Sequence, residues 1–547
     1  MVEANESMPS PGRPHDVVVL GAGVSGIYQI KRLTDLGLDA IVLEADDDLG
    51  GTWYRNRYPG ARFDSESYTY GYSFSRELLD EWHWKEHYSA QPENLKYLNF
   101  VADKFGLRRF MRFNMRVLAM RWDEDARTWH LTTASGEAVE TRFVICGVGP
   151  LSMPTPPRIE GMADFQGESY HTYYWPKEPV EFAGRRVGVI GTGATGIQVI
   201  AEIADKVDDL TVFQRRPNWS APLNNSPISE QEMAAIRARY DEIFATCRVT
   251  PGGFEHVPDR RGFWNVSREE RLALWDRLYD EPGFGIWLQN FTEIFTDEAA
   301  NAEFSEYIAD RIRQRVDDPE VAEKLIPKDH GFGVQRVPLE SHYFEAYNRD
   351  NVHLVDISEN PIVRITRTGI QTRDAHYDLD LIVYATGFDA VTGAYDRIDI
   401  QGVDGQRLAE KWRDEPATYL GTMVNGFPNL LMIAGPQSAS ASTNFPRAIE
   451  SHVDWITDLV KYCMDQGLAR IEASPEAEAA WNEHVREMYQ MVLMRKAKGW
   501  FTGYNSNVPG HEEGTIRYLV YNGGAPKYSR TLSEVAADGY RGILQSR

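Results

Sequence analysis

Two glycine-rich loops, each preceded by an apolar run and followed by a helical stretch, predict an α/β protein with two Rossmann-like dinucleotide-binding domains. The loops are Gly21-Ala22-Gly23-Val24-Ser25-Gly26 and Gly191-Thr192-Gly193-Ala194-Thr195-Gly196. Between about 222 and 328 the sequence turns helical and charged, which predicts a helical insertion in the second domain. At 547 residues the chain exceeds the usual size of one domain, in keeping with this organisation.

In the first unit an apolar run over residues 16–20 ends in the first loop. A helical stretch to Leu36 and a second apolar run over 40–43 follow, closed by Glu44. Gly21 permits the tight turn, Gly23 lets backbone approach a pyrophosphate and Gly26 allows close helix packing. Glu44 stands at about the ~20-residue distance at which an acid accepts a ribose 2′-hydroxyl, which suits the unphosphorylated adenosine of FAD.

The second unit runs from a strand over 186–190 through its loop and a helix to a strand starting at Leu210. Where that strand ends the acid is absent and Arg215 and Arg216 stand instead, which suits a 2′-phosphate and therefore NADPH. The Pro-rich passage 150–157 reads as a linker, and residues 230–248 and 268–279 as amphipathic helices of the insertion. Short alternating strands follow from Val352.

Composition narrows the function further. A net charge of −23 argues against general affinity for nucleic acid or anionic membrane. No apolar stretch approaches the ~20 residues of a membrane helix and no signal-peptide core is visible, which predicts a soluble cytoplasmic protein. Monomer and homodimer stay open as its oligomeric state. Cys146, Cys247 and Cys463 are far apart and form no C-x-x-C pair, so neither a disulfide framework, a zinc site nor a dithiol reductase is indicated.

Between the two loops lies Phe165-Gln166-Gly167-Glu168-Ser169-Tyr170-His171-Thr172-Tyr173-Tyr174-Trp175-Pro176, which matches F-x-G-x-x-x-H-x-x-x-W-P. Residues 51–64 match a second long motif, G-x-W-x-x-x-x-Y-P-G-x-x-x-D. By these motifs the chain resembles the type I Baeyer-Villiger monooxygenases, over essentially its whole length. The resemblance implies FAD, NADPH and O2 as cofactor and co-substrates, with a ketone converted to an ester or lactone through a C4a-peroxyflavin. An N- or S-oxygenating flavin monooxygenase is the alternative, whose fingerprint usually lacks the Trp175-Pro176 pair.

The resemblance also implies roles. Arg336, within residues 333–339, is the expected catalytic arginine beside the flavin, where a fixed cation stabilises developing negative charge. Asp64 is expected to position it, and Arg62 and Phe63 to lie along the nicotinamide. Gly51, Thr52, Trp53, Tyr54, Arg55, Tyr70 and Val117 match FAD-contacting positions, and residues from Thr192 through Ile197 to Gln198 match the NADP loop. Gln335 stands where many relatives carry a lysine that reaches the 2′-phosphate, and Trp500 resembles a tryptophan closing over NADP. His171 is expected to set domain orientation rather than transfer protons. Ser440, Ala441, Ser442 and Phe445 resemble a pocket wall for a cyclic or bulky ketone. The element 385–389, Ala-Thr-Gly-Phe-Asp, marks a return to the FAD domain. That domain is thus expected as 1–150 plus 385–547, around an NADP domain at 151–384.

Overall fold

A computed structural model describes residues 13–439, 442–511 and 516–547. The central strand His15–Leu20 pairs in parallel with Ala40–Leu43 on one side and Ala138–Cys146 on the other. Val17 and Val19 enter one apolar core and Val18 and Leu20 another, so both faces of the strand are covered. An unbroken apolar run is what a doubly covered parallel strand requires. Downstream, Asp399–Gln401 pairs with Val117–Asp123 and Leu430–Met432 with Ala138–Cys146, which carries the later chain back into this eight-stranded sheet.

The second sheet has five strands, all parallel, in the order Val352–Asp356, Asp209–Gln214, Arg186–Ile190, Leu381–Tyr384, Glu168–His171. Arg215 and Arg216 follow directly on the end of Asp209–Gln214. The helices Glu230–Ala238, Tyr240–Val249, Arg268–Asp280, Glu298–Arg315 and Pro319–Leu325 fall within 222–328. The single helix expected over 230–248 is two, because Arg239 departs from helical geometry (φ −108°, ψ 4°). Ser267 and Glu270 form a capping box that starts Arg268–Asp280, and the Trp275 and Phe304 rings, 5.0 Å apart, pack this helix against Glu298–Arg315.

Helix Phe445–Gln466 covers the first nucleotide helix, Val24–Asp35. Tyr28 Oη donates to Asp454 at 2.7 Å and Gln29 Nε2 to Thr457 Oγ1 at 2.9 Å. The cysteines are free and buried. Among the described residues no helix is long and apolar enough to cross a membrane.

Candidate active site

The two glycine loops are built alike. Gly21 and Gly191 take φ of 96° and 107°, a region open to glycine, and a Cβ on either would come within 2.7 Å and 2.5 Å of the carbonyl oxygens of Gly147 and Ala385. A Cβ on Gly26 or Gly196 would overlap the Gly21 or Gly191 carbonyl, so each helix rests directly on its turn. The middle glycines differ in kind: a Cβ on Gly193 meets nothing within 4 Å, and one on Gly23 meets only the backbone of Gly51. Each helix thus presents backbone N–H groups behind a face without side chains, a cradle that fits a pyrophosphate.

Glu44 is buried and holds the first loop: its Oε2 accepts from Ala22 N at 2.6 Å and its Oε1 from Asp46 N at 2.9 Å. Burial raises its pKa, and backbone hydrogen bonds from Ala22 and Ala45 oppose that shift. Asp46 in turn pairs with Arg55, accepting from its Nε and Nη2, and the Arg55 guanidinium lies 5.4 Å from the Tyr173 ring. Helix Thr52–Arg55 starts at Gly51. Trp53 Nε1 donates to Tyr70 Oη at 3.0 Å, Phe63 stacks on Tyr70 at 4.2 Å, and Tyr54 lies against Arg57. Val117 is buried at the start of its strand.

Asp64 lies where the two halves meet. Its Oδ2 accepts from Leu339 N at 3.4 Å and stands 3.5 Å from Arg336 Nη2, while its Oδ1 is buried without a protein partner. Burial raises the Asp64 pKa and the Arg336 charge opposes this. Arg336 lies deep in the molecule, which lowers its pKa, yet keeps 30% of its side-chain surface. Beneath it lies an aromatic shelf from the insertion, with Phe284 4.5 Å and Trp287 5.8 Å from the guanidinium carbon. Gly333 makes room for this shelf, since a Cβ there would stand 2.5 Å from Trp287 Nε1.

The halves are joined by Gln198, which accepts from Tyr58 Oη at 2.8 Å and donates to the Arg62 carbonyl at 3.0 Å. Arg62 itself points to Tyr88 O at 2.9 Å and Glu86 at 3.3 Å. Ala194, Thr195 and Ile197 lie on the helix that opens the second cradle, and Thr192 Oγ1 donates to Arg216 O at 3.0 Å. Arg215 donates to Ser506 Oγ at 2.7 Å and Arg216 lies 5.0 Å from the Tyr504 ring, so the C-terminal segment touches both. Gln335 Nε2 reaches Lys498 O at 3.3 Å, two residues before Trp500, whose ring is 3.9 Å from that of Phe501.

His171 is buried at the end of a strand in the second sheet, and desolvation pushes its pKa down to about 4, which keeps it neutral near pH 7. Ser440 and Ala441 lie outside the described residues. Ser442 O approaches Gly252, where a Cβ would lie 2.5 Å away, and Phe445 opens helix Phe445–Gln466. Sequence reasoning missed Phe284, Trp287, Tyr504 and Ser506. The glycine at 333 with φ 77° was the one local sign of a close neighbour there.

Comparison with known proteins agrees with this architecture. Residues 14–226 match the flavin-binding monooxygenase-like family. The chain is 45% identical over 534 residues to 2-oxo-Δ3-4,5,5-trimethylcyclopentenylacetyl-CoA monooxygenase of Pseudomonas putida, covering 96% of this chain and 98% of that protein. It is 38% identical to a Baeyer-Villiger monooxygenase of Pseudooceanicola batsensis, over 99% and 98% of the two chains. The crystal structure of OTEMO with FAD and NADP superposes with a TM-score of 0.94 at 44% identity, covering 98% of this chain and 100% of that one. This chain therefore belongs to the Baeyer-Villiger monooxygenases, FAD-dependent oxidoreductases that use NADPH and O2.

Proposed function

We propose that the enzyme converts cyclic or bulky ketones to lactones or esters, with Arg336 as the group that acts on the reacting atoms. The observation that carries this is the arginine itself: a partly open guanidinium held between Asp64 and an aromatic shelf, where the two halves of the molecule meet. The names of the relatives, which include cyclohexanone and cyclopentanone monooxygenases, support the substrate class.

FAD, reduced by NADPH, supplies the activated oxygen when bound. The protein binds, orients and polarises. Gly23 and Gly51 leave backbone free at the first cradle, and Glu44 holds that loop and the adenosine ribose. Thr52, Trp53, Tyr54, Arg55, Tyr70 and Val117 wall the flavin. Arg62 and Phe63 carry the nicotinamide side, and Arg215 and Arg216 grip the 2′-phosphate. The unpartnered Asp64 Oδ1 fits a nearby N–H donor of the dinucleotide, since a buried carboxylate oxygen is costly if unmet. Arg336 stabilises the negative charge that develops on the carbonyl oxygen of the attacked ketone. Trp500 and the 504–506 segment exclude water from above. The FAD domain comprises 1–150 and 385–547, and the NADP domain 151–384.

A panel of cyclic, aromatic and long-chain ketones, read out by product mass, tests this reading. Lactones from the cyclic ketones are expected. Exclusive N- or S-oxide formation from amines and sulfides, with no ketone converted, overturns it.

A further inference from the structure

Arg336 stands three residues before Leu339–Glu340, a strand only two residues long that pairs in parallel with Ala221–Pro222. So short a strand has few backbone hydrogen bonds with which to fix its place. Leu339 nonetheless meets the site directly, since its N–H donates at 3.4 Å to the same Asp64 Oδ2 that faces the arginine. A shift of the strand would therefore move Arg336 and loosen its tether together.

The next residue supplies an anchor. The Glu340 side chain is wholly buried, with Oε1 accepting from Arg315 Nη1 at 2.7 Å and Oε2 from Tyr343 N at 2.8 Å. Arg315 ends the long helix Glu298–Arg315 of the insertion, and its Nε and Nη2 hold Glu345 at 2.6 and 2.8 Å. Glu345 lies beyond the strand, on the short helix Tyr343–Ala346, and its side chain is 40% exposed. A buried ion pair adds little net stability over apolar residues of like volume, but parting its two charges is costly. Arg315 and Glu340 thus oppose displacement of the strand more than they stabilise the fold.

We propose that Arg315 and Glu340 are positioning residues for Arg336, holding its strand so that the guanidinium keeps its place beside Asp64; the inference rests on the role given to Arg336 above. Neither residue touches the reacting atoms.

The test uses the FAD-loaded enzyme with cyclohexanone and cyclopentanone, well below the melting temperature. Glu340→Gln keeps the size of the side chain and loses its charge. It is expected to retain FAD and a near-normal KM for NADPH. Lactone formed per NADPH should fall roughly three- to tenfold, short of the ~100-fold that a 1 Å misplacement can cost, with the lost oxygen appearing as hydrogen peroxide. Any unfolded share of the enzyme cancels from this ratio, so lost stability alone leaves it unmoved. Glu345→Gln is the control: it loosens the same arginine away from the strand, and should lower the melting temperature with coupling near wild type. Should Glu340→Gln fail to fold, Glu340→Asp, one methylene shorter, is expected to lower the same ratio. Normal coupling in the Glu340 variant, or an equal loss in Glu345→Gln, overturns the positioning role alone. Normal coupling in Arg336→Ala overturns the reading of Arg336 and this inference with it.

Discussion

Arg336 Nη2 stands 3.5 Å from Asp64 Oδ2, a separation too long for a tight ion pair but short enough to hold the guanidinium in orientation. The arginine is thus tethered on one side and open on the other. Arg336→Ala is expected to retain FAD and still oxidise NADPH while ester formed per NADPH falls about 100-fold or more, since one preorganised charge contributes on the order of 3 kcal/mol. Arg336→Lys should recover little, because a point charge does not reproduce the planar fork. Product yield against NADPH consumed is the measurement, and near-normal coupling in the alanine variant contradicts the role.

The shelf under Arg336 is an uncharged support. A cation over an aromatic face contributes about 0.5–2 kcal/mol, so Phe284→Leu should cost several-fold in coupling while Phe284→Tyr keeps most of it. The KM for NADPH should stay near wild type in both. Equal losses in the leucine and tyrosine variants would show that Phe284 acts through packing alone.

Replacing Arg215 and Arg216 together by alanine should raise the KM for NADPH tenfold or more and leave NADH little affected, since charge-assisted hydrogen bonds contribute roughly 1.5–3 kcal/mol each. Steady-state kinetics with both nucleotides decides it. An unchanged constant for NADPH places the 2′-phosphate elsewhere.

His452 is fully buried, and desolvation lowers its pKa from 6.5 to about 4. Its Nε2 lies 2.8 Å from Tyr528 Oη, whose proton is donated to Leu420 O. The unfolded chain takes up this proton near pH 6.5 and the native one only near pH 4, so this group weakens the fold as pH falls between those values. At pH 5 the loss is about 2 kcal/mol. His452→Gln, which keeps a donor to the tyrosine, should show a smaller fall in melting temperature between pH 7.5 and pH 5. An identical fall in both proteins would contradict a neutral buried imidazole.

Much of the fold was legible because its signals are local. Both glycine loops, the strands beside them and the arginine pair at 215–216 lie within single nucleotide units, where spacing alone carries the geometry. The later strands were harder to read. Leu430–Met432 is only three residues long and pairs with a strand almost 300 positions earlier, a contact that leaves no periodicity in either segment. The division at Arg239 was hidden because the apolar spacing runs on across it. Asp64 stood out through a motif and Arg336 through the resemblance of residues 333–339, whereas Phe284 and Trp287 sit in an insertion with no motif of its own. Nothing near them in sequence tells a shelf from an ordinary core aromatic.

The seam at Gln198 has a consequence for how the enzyme behaves in different buffers. Tyr58, Gln198 and the Arg62 carbonyl are joined by neutral hydrogen bonds, on which dissolved ions have little hold. The grip proposed for Arg215 and Arg216 on a phosphate would be coulombic and would weaken as ions accumulate. Rising ionic strength should therefore loosen the nucleotide without misaligning it, so that hydride transfer from NADPH already bound keeps its rate while the concentration needed to fill the site climbs.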